Sequence, residues 1–481
     1  MHSEVQSVFP PVFGQPTGSF GIRVALDATT MAIASGYGIE MRERIGDAWT
    51  PSGLLTDSGA KSAAALALDG DVLVVGLPDA VNPSLPAGAA LVYERSGGTW
   101  SLATTLHAGD AQFAEGFGAA VDVSGARILI GAASAGQISG AAWVFERNGG
   151  VWSQTAKLPP VAPDIGFATA VALDGDRALV TAPFAPFGSA QGGALVYELA
   201  GTQWLPTGVL LPPSPQVAQK IGRSCALDGT RAVLGSNGTT GGEVYELQSG
   251  SWSHAASLPL PIGGGTSAAV AISGARVLIG TSQRDAFVYT HAGGAWSAPE
   301  QLLLLGHAPT LLMLPGAAVA LDGDNAAVGT PNILYPGLVY AHSVGGAGCP
   351  RLLGLPQTVA VSNQPAAQYW QLEAGSAHAN RVYLMLGSLS GTAPGITLDG
   401  QLLPLVPDAY TTYTLTAPNS PPLVDTLGVL DANGSALARF QVPAGSTALA
   451  GISGHHAYVV LDLAAGVVAL TSNAVGVAFK L

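Results

Sequence analysis

The 481-residue chain has few charged residues and almost no cysteine. Only 10% of residues are charged, with 18 Lys and Arg against 31 Asp and Glu, and the net charge is -13. The basic residues are scattered and form no stripe that could neutralise phosphates, which excludes a nucleic-acid partner. Cys225 and Cys349 are the only thiols, so a disulfide framework and a four-cysteine zinc site are both excluded. A single bridge between them stays open, although we expect Cys225 to pack in a strand as a small apolar residue.

Long apolar runs are also missing. The longest tract, 457–470, is interrupted by Asp462 and Gly466 and is too short to span a membrane. The N-terminal MHSEVQSVFPP lacks the features of a signal peptide, so either the protein stays inside the cell or a leader has been removed. What is abundant is Gly (64) and Pro (33), which is typical of short strands joined by turns. The sequence therefore predicts an all-β protein.

Stretches similar to the ten residues VALDGDRALV (171–180) recur along the first two thirds of the chain. Its Asp or Ser marker recurs at Asp27, Asp69, Ser124, Asp174, Asp228, Ser273 and Asp322. The spacing is about 49 residues, a period that fits four short strands with their loops. Seven such repeats predict a seven-bladed β-propeller.

Each of the first six repeats also ends with a tryptophan followed six residues later by a leucine. These are Trp49, Trp100, Trp152, Trp204, Trp252 and Trp296, with Leu55, Leu106, Leu158, Leu210, Leu258 and Leu302. Because six is an even step, we expect both side chains on one face of an outer strand, packed on the next blade. The seventh repeat lacks this tryptophan, and SVFPP (7–11) resembles AKLPP (156–160). We therefore expect the N-terminal strand to complete the last blade and close the ring.

The Asp174-Gly175-Asp176 segment could be a metal loop, a catalytic pair or a turn. Ser replaces the first Asp at 124 and 273, and a calcium site needs a longer loop with six to eight oxygen ligands. We interpret Asp174-Gly175 as the two central residues of a hairpin turn, both with positive φ. The repeated Glu94, Glu146, Glu198 and Glu246 are expected to serve the strands and not a reaction.

The repeat resembles the FG-GAP repeats of integrin α-subunit-like β-propellers. Phe20-Gly21 and Phe117-Gly118 match the FG element, and Thr181-Ala182-Pro183 and Gly329-Thr330-Pro331 approximate GAP. This resemblance covers residues 4–345 and implies an adhesive or scaffolding propeller. The DxDxDG calcium loops that some relatives carry are shortened here to two residues, so we expect neither a metal nor another cofactor.

The repeat stops near HSVGGAGCP (342–350), and strand-like runs follow. They are TVAVS (358–362), RVYLMLG (381–387), YTTYTLT (410–416), ARFQVP (438–443), AYVVLDL (457–463), GVVALTS (466–472) and VGVAFKL (475–481). They predict a smaller antiparallel β-sandwich. This half resembles the C-terminal β-module of secreted repeat proteins from planctomycete-type bacteria, through its GCP entry and SNAVGVAF final strand. The predicted domains are therefore 1–345 and 350–481, with a secreted or cell-surface location implied.

A ligand is expected on the propeller face that carries the variable loops, since loops on a rigid scaffold are where binding usually resides. The predicted contact residues are Asp79, Asn82, Phe184, Phe187, Arg284, Asp285, Asn332 and Tyr335. The two phenylalanines, lying between prolines and glycines, suit stacking on a sugar or capping by a protein.

No catalytic constellation is found. Gly387-Ser388-Leu389-Ser390-Gly391 resembles a nucleophile elbow, but leucine occupies the position of the nucleophile. The sequence thus favours a non-catalytic binding or adhesion scaffold with a protein or glycan ligand. Two alternatives stay open: a lectin or carbohydrate-active enzyme, favoured if carboxylates cluster in one pocket, and a self-assembling structural subunit, favoured if the chain forms homo-oligomers.

Overall fold

A computed structural model describes most of the chain. The described residues are 3–8, 20–45, 48–57, 59–82, 85–110, 116–133, 140–158, 160, 166–187, 190–213, 221–236, 240–261, 267–281, 285–302, 318–330, 338–344, 351–355, 358–360, 366–432 and 434–480. Contacts divide them into two compact units, one built on Val8–Leu303 and Thr310–Ala341 and the other on His342–Leu481, with which Met1–Ser7 and Leu304–Pro309 are grouped. Each unit is described by itself.

The first unit consists of antiparallel sheets that follow one another along the chain, numbered here 1 to 7. Sheets 1 to 3 comprise Val24–Leu26, Thr30–Ser35, Gly38–Ile45 and Ala48–Leu55; Ala65–Asp69, Val72–Leu77, Ala89–Ser96 and Thr99–Leu106; and Ala120–Ser124, Arg127–Ala132, Ala141–Asn148 and Val151–Leu158. Sheets 4 and 5 comprise Val171–Asp174, Arg177–Thr181, Ala194–Ala200 and Gln203–Leu210; and Cys225–Asp228, Arg231–Gly235, Thr240–Gln248 and Ser251–Pro259.

Sheets 6 and 7 depart slightly from this pattern. Sheet 6 comprises Ser267–Ser273, Arg276–Thr281 and Ala286–Ala292, and its outer strand is split into Ala295–Trp296 and Glu300–Leu302. Sheet 7 comprises Ala318–Asp322, Asn325–Thr330 and Leu338–Ser343. Ser3–Val8 is the fourth strand in its order, although residues up to Ser7 are grouped with the second unit. That Ser3–Val8 completes the last blade and closes a ring of sheets stays a prediction.

The first strands of these sheets form a cyclic series of contacts. Each first strand contacts the first strand of the next sheet, and Ala318–Asp322 of sheet 7 contacts Val24–Leu26 of sheet 1. Apolar clusters fill the space between consecutive sheets, as between Val74 of sheet 2 and Ile130 of sheet 3. Four-stranded sheets arranged radially around an axis are the architecture of a β-propeller.

The outer strands carry a β-bulge that the sequence did not reveal. In sheet 2, Leu102 pairs with Tyr93 and Thr104 with Val92, so Ala103 is an extra residue. Because of this extra residue, the tryptophan and the leucine of the outer strand point to opposite faces of the sheet. Trp100 packs towards sheet 1 and Leu106 towards sheet 3. The prediction that both face the next blade is therefore wrong.

The hairpin turns between first and second strands are two-residue turns, but their central residues differ from the prediction. In sheet 4, Asp174 pairs with Arg177, which makes Gly175 and Asp176 central. Gly175 has φ +55°, and Asp176 is not among the residues with positive φ. Positive φ at the first central residue alone, occupied by glycine, is typical of a type II′ turn. The expectation of positive φ at both positions is wrong.

The marker Asp or Ser of five of these turns joins neighbouring sheets. Its side-chain oxygen accepts a hydrogen bond from the turn glycine N–H of the next sheet, one repeat further along the chain. The pairs are Asp69 with Gly125 (2.6 Å), Ser124 with Gly175 (3.0 Å), Asp174 with Gly229 (2.6 Å), Asp228 with Gly274, and Ser273 with Gly323 (2.9 Å). Since a hydroxyl accepts this bond as a carboxylate does, serine can replace aspartate.

An arginine at the start of the second strand also donates a hydrogen bond to the turn of the next sheet. Arg177 Nη1 donates to the Gly229 carbonyl (2.7 Å), and its Nε pairs with Glu198 (2.9 Å). Arg127 and Arg231 repeat this arrangement with Glu146 and Glu246. The repeated glutamates therefore serve the strands, as predicted.

The second unit contains two larger sheets. One has the order Arg351–Leu355, Ala366–Glu373, Ser435–Val442, Leu423–Val424. The other has the order Thr358–Ala360, Val475–Lys480, Ser453–Asp462, Val382–Ser388, Leu427–Val429, with Val467–Thr471 paired to Ser453–Asp462. Trp370 and Phe440 of the first sheet share one core with Tyr458 and Phe479 of the second. Thr358–Ala360 and Val475–Lys480 are parallel, unlike the antiparallel pairs predicted throughout.

The smaller elements of the second unit include one α-helix among its described residues. Ala409–Thr416 is helical, so the interpretation of 410–416 as a strand is wrong. Asp408 caps this helix and forms a capping box with Thr411. A hairpin, Ile396–Leu398 with Gln401–Leu403, and 3-10 turns at Ser376–His378 and Thr447–Leu449 complete the unit, while the first unit has one at Ala60–Ser62. None of the helices in the described residues is long and apolar enough to cross a membrane.

Candidate functional site: a cleft on the loop face of sheet 2

The loop between the second and third strands of sheet 2 is folded into a small hairpin. Val81–Asn82 pairs with Leu85–Pro86. Gly88 N–H donates to the Ala80 carbonyl (2.9 Å), which closes the loop. Gly88 has φ +93° and forms a bridge to Phe117 of the next repeat, where a Cβ would lie 2.1 Å from the Phe117 carbonyl oxygen. Glycine is therefore required at 88, and the loop is fixed on both sides.

A cleft of about 630 Å³ lies beside this hairpin. Its walls come from the connection between sheets 1 and 2, from the hairpin loop, and from the end of the outer strand of sheet 2. Leu77 and Leu91 are buried, whereas Val81 is 64% exposed and Leu102 47% exposed. The cleft thus combines an apolar floor with an apolar rim that is open to solvent.

Two carboxylates and one imidazole also line the cleft. The carboxylate of Asp57 accepts hydrogen bonds from the Ala60 N–H (3.0 Å) and from the buried Tyr93 hydroxyl. Burial, and then the hydrogen bond and charge of Asp57, raise the pKa of Tyr93, so the phenol keeps its proton. Asp79 is exposed, and among the described residues no hydrogen bond or ion pair involves its carboxylate. His107 Nδ1 lies 3.4 Å from the Gly88 carbonyl oxygen.

This arrangement offers binding groups more readily than a catalytic pair. Asp57 already accepts two hydrogen bonds, whereas the exposed carboxylate of Asp79 accepts none among the described residues and is open to a ligand. Within the described residues no group of three or more His, Cys, Asp or Glu is placed to hold a metal ion.

The structure places the eight predicted contact residues in different loops. Asp79 lines the cleft, and Asn82 lies in the adjacent hairpin, with its side chain outside the described part. Phe184 is 46% exposed in the equivalent loop of sheet 4, where its ring packs on Gly166. Phe187 pairs through its backbone with Ala190, forming a hairpin like that of sheet 2, and its side chain is outside the described part.

Of the four remaining predicted residues, the structure describes one. Asp285 accepts a hydrogen bond from Gln301 Nε2 (2.9 Å) at the start of a strand. Arg284, Asn332 and Tyr335 are outside the described residues. Sequence reasoning missed Asp57, Val81, Leu102 and His107, which come from three separate segments. No periodic signal marks them, because only the fold brings those segments together.

The nucleophile-like segment of the second unit is structural. Ser388 Oγ donates to the Val406 carbonyl (2.7 Å) and lies 3.3 Å from the Asp408 carboxylate. His456 is buried in the core against Trp370, and Tyr410 shares a hydrogen bond with its Nε2 (2.8 Å). Burial lowers the pKa of His456 to about 3, so the imidazole is neutral.

Comparison with known proteins gives a limited result. No protein-family model matches the sequence. No curated protein matches it significantly. Among solved structures, the WD40 β-propeller domain of Doa1 is 12% identical over 72% of this chain and 99% of its own, with a TM-score of 0.47. YCF48 bound to a D1 peptide is 11% identical over 71% of this chain and 96% of its own, with a TM-score of 0.44. At these scores the likeness carries no argument, so the propeller architecture rests on the strand pairing described above.

Proposed function

We propose that this protein is a non-catalytic binding scaffold of the FG-GAP type, in which sheets 1 to 7 are the blades of one closed propeller. The cyclic contacts of the first strands support seven blades, and the place of Ser3–Val8 in the order of sheet 7 supports closure by the N-terminal strand. The shared core of Trp370, Phe440, Tyr458 and Phe479 supports a β-sandwich as the second domain.

The ligand in this proposal is a protein at the cell surface or outside the cell, recognised through the loop face of the propeller. The observation that carries the binding role is the cleft, in which the exposed apolar side chains Val81 and Leu102 surround an available carboxylate, Asp79. A concave surface that combines apolar side chains with a placed polar group is what a ligand site requires. The resemblance to FG-GAP repeats supports the adhesive role and the extracellular setting.

A matched pair of variants tests this function. Ser62 lines the cleft and is exposed, so Ser62→Trp places an indole in it. Ser96 is exposed on the same sheet at the hairpin between the third and fourth strands, on the opposite face, so Ser96→Trp is the control. Wild-type protein is used to select binders from a random-peptide display library and, in parallel, on a glycan array.

The expected result is a set of peptide binders that S62W loses and S96W retains. Failure to enrich any peptide that S62W loses would overturn the proposal. Glycan hits that S62W loses would replace the protein ligand by a sugar. Release of a modified glycan or peptide product during incubation would overturn the non-catalytic assignment.

A further inference from the structure

We infer that the cleft of sheet 2 recognises a basic side chain flanked by aliphatic ones, as in a Leu-Arg-Leu segment of a partner peptide. This inference rests on the proposed binding function and adds the chemical class of the ligand. Among the described lining residues, Asp57 and Asp79 carry carboxylates and none is Lys or Arg. Lys61 is exposed on the neighbouring 3-10 turn and does not line the cleft.

The two carboxylates act differently. Asp57 is held in place by hydrogen bonds from Ala60 and Tyr93, so it contributes a negative charge at a fixed position. Asp79 is exposed at the mouth, and its two oxygens can accept the paired N–H groups of a guanidinium, a geometry that arginine supplies and lysine does not. An anionic ligand would meet both carboxylates, and the overall charge of -13 also favours cationic partners.

The exposed apolar side chains of the cleft favour a peptide over a small cation as the ligand. A bare cation would leave Val81, 64% exposed, and Leu102, 47% exposed, in contact with water. A peptide whose basic residue is flanked by leucines covers both while its cation reaches Asp79. The cleft volume of about 630 Å³ lies within the range of ligand pockets, which is roughly 300–1,000 Å³.

The test uses three capped tripeptides, acetyl-Leu-Arg-Leu-amide and its analogues with citrulline or Glu in the middle. Citrulline keeps the shape of arginine and removes the charge. Binding to the full chain is measured by isothermal titration at low salt. We expect saturable binding of the Arg peptide, weaker binding of the citrulline peptide and none of the Glu peptide. Added salt weakens binding of the Arg peptide, because the pair is exposed.

Two isosteric variants test whether the Asp79 carboxylate binds the basic side chain of the peptide. Asp79→Asn is expected to weaken binding of the Arg peptide about two- to fivefold, the range of an exposed ion pair, without changing that of the citrulline peptide. Asp71→Asn is the control, since Asp71 is an exposed carboxylate at the opposite hairpin of the same sheet. It makes the same change in net charge and is expected to leave both affinities unchanged.

The outcomes separate this inference from the proposed function. Equal binding of the citrulline or Glu peptide, no binding of the Arg peptide, or an equal effect of D71N and D79N overturns the basic-ligand inference. Library peptides that S62W loses but that lack Lys and Arg leave the scaffold intact and overturn this inference alone. If S62W affects no peptide, both fail.

Discussion

The carboxylate of Asp174 on sheet 4 accepts a hydrogen bond from the backbone N–H of Gly229 on sheet 5, at 2.6 Å. The same bond recurs between other neighbouring sheets with either Asp or Ser as acceptor. The acidic segments that suggest a metal loop in the sequence are therefore contacts between sheets. They stabilise the packing of one sheet on the next.

Asp174→Ala is expected to lower the free energy of unfolding by about 1 kcal/mol, because the Gly229 N–H loses its acceptor at an exposed site. Asp174→Ser is the matched control, since Ser124 makes the equivalent bond to Gly175 at 3.0 Å. It should retain most of the stability. Urea unfolding followed by tryptophan fluorescence measures both. Equal losses in D174A and D174S would show that the bond itself contributes nothing.

The sequence predicts the repeat and the positions of its hairpin turns well, because these depend on local periodicity. The FG element, for example, is a local feature with a local role: Phe117 is buried between sheets, and Gly118 has φ +94° where it packs on Gly76. Glycine adopts this φ without strain, whereas Ala168 stands at the equivalent position of the next repeat with φ +65°.

Other features depend on contacts that periodicity does not encode. The bulge at Ala103 follows from the pairing of two strands, and it reverses which neighbour Leu106 meets. The helix Ala409–Thr416 consists mostly of Thr and Tyr, which favour strands, yet the cap at Asp408 starts a helix there. The cleft combines three distant segments, so sequence reasoning reached only Asp79 of its polar groups.

A buried ion pair lies between sheet 1 and sheet 7. Glu40 and Arg42 are 2% and 8% exposed at their side chains and 2.5 Å apart. Their cross-strand neighbours Ile33 and Met31 pack in one cluster with residues of sheet 7. Burial raises the pKa of Glu40 and lowers that of Arg42, while each partner opposes the shift of the other. The pair stands where three other repeats have Leu and Tyr, as at Leu91 and Tyr93.

Glu40→Leu alone is expected to lower the free energy of unfolding by about 3 kcal/mol, because it leaves the Arg42 guanidinium buried without its carboxylate. The double variant E40L/R42Y introduces the Leu and Tyr that three other repeats have at these positions. It is expected to recover most of that loss. Denaturant unfolding of the wild type, both single variants and the double variant gives the coupling energy. Additive effects of the two changes would contradict the pairing.

The helix cap of the second unit connects two segments. The Asp408 carboxylate accepts hydrogen bonds from the N–H groups of Thr411 (2.8 Å), Leu389 (2.7 Å) and Ser390 (2.9 Å). Desolvation opposes ionisation, but the hydrogen bonds from Thr411, Leu389 and Ser390 outweigh it and lower the pKa of Asp408 to about 2.

Asp408→Ala is expected to cost about 2 kcal/mol of stability at neutral pH, at the upper end for a helix cap because the same carboxylate also holds residues 389 and 390. A group with a lowered folded-state pKa stabilises the protein above its unfolded-state pKa and loses that effect as pH falls through about 2. The difference between wild type and D408A should therefore shrink with acidification. Thermal unfolding at several pH values measures it, and a difference that stays constant down to pH 2 would contradict the role of the charge.

Asp122 introduces an acid on the first strand of sheet 3, where the other repeats have alanine, as at Ala67 and Ala172. Its oxygens accept hydrogen bonds from the Val123 N–H (2.9 Å) and from the Leu173 N–H of sheet 4 (2.7 Å). Burial raises the pKa of Asp122 to about 7; those hydrogen bonds oppose the rise, whereas the charges of Asp69 and Asp174 add to it.

Because the folded-state pKa is above the unfolded-state value of about 4, the folded chain keeps this proton while the unfolded chain releases it. Stability that is fully present below pH 4 is therefore lost as pH rises through about 7, by at most about 1.4 kcal/mol per pH unit. Asp122→Asn keeps an acceptor oxygen and cannot ionise, so its stability should change less over this interval. Urea midpoints of wild type and D122N between pH 4 and 8 measure the difference. Parallel pH profiles would show that the Asp122 carboxylate ionises as easily in the folded chain as in the unfolded one.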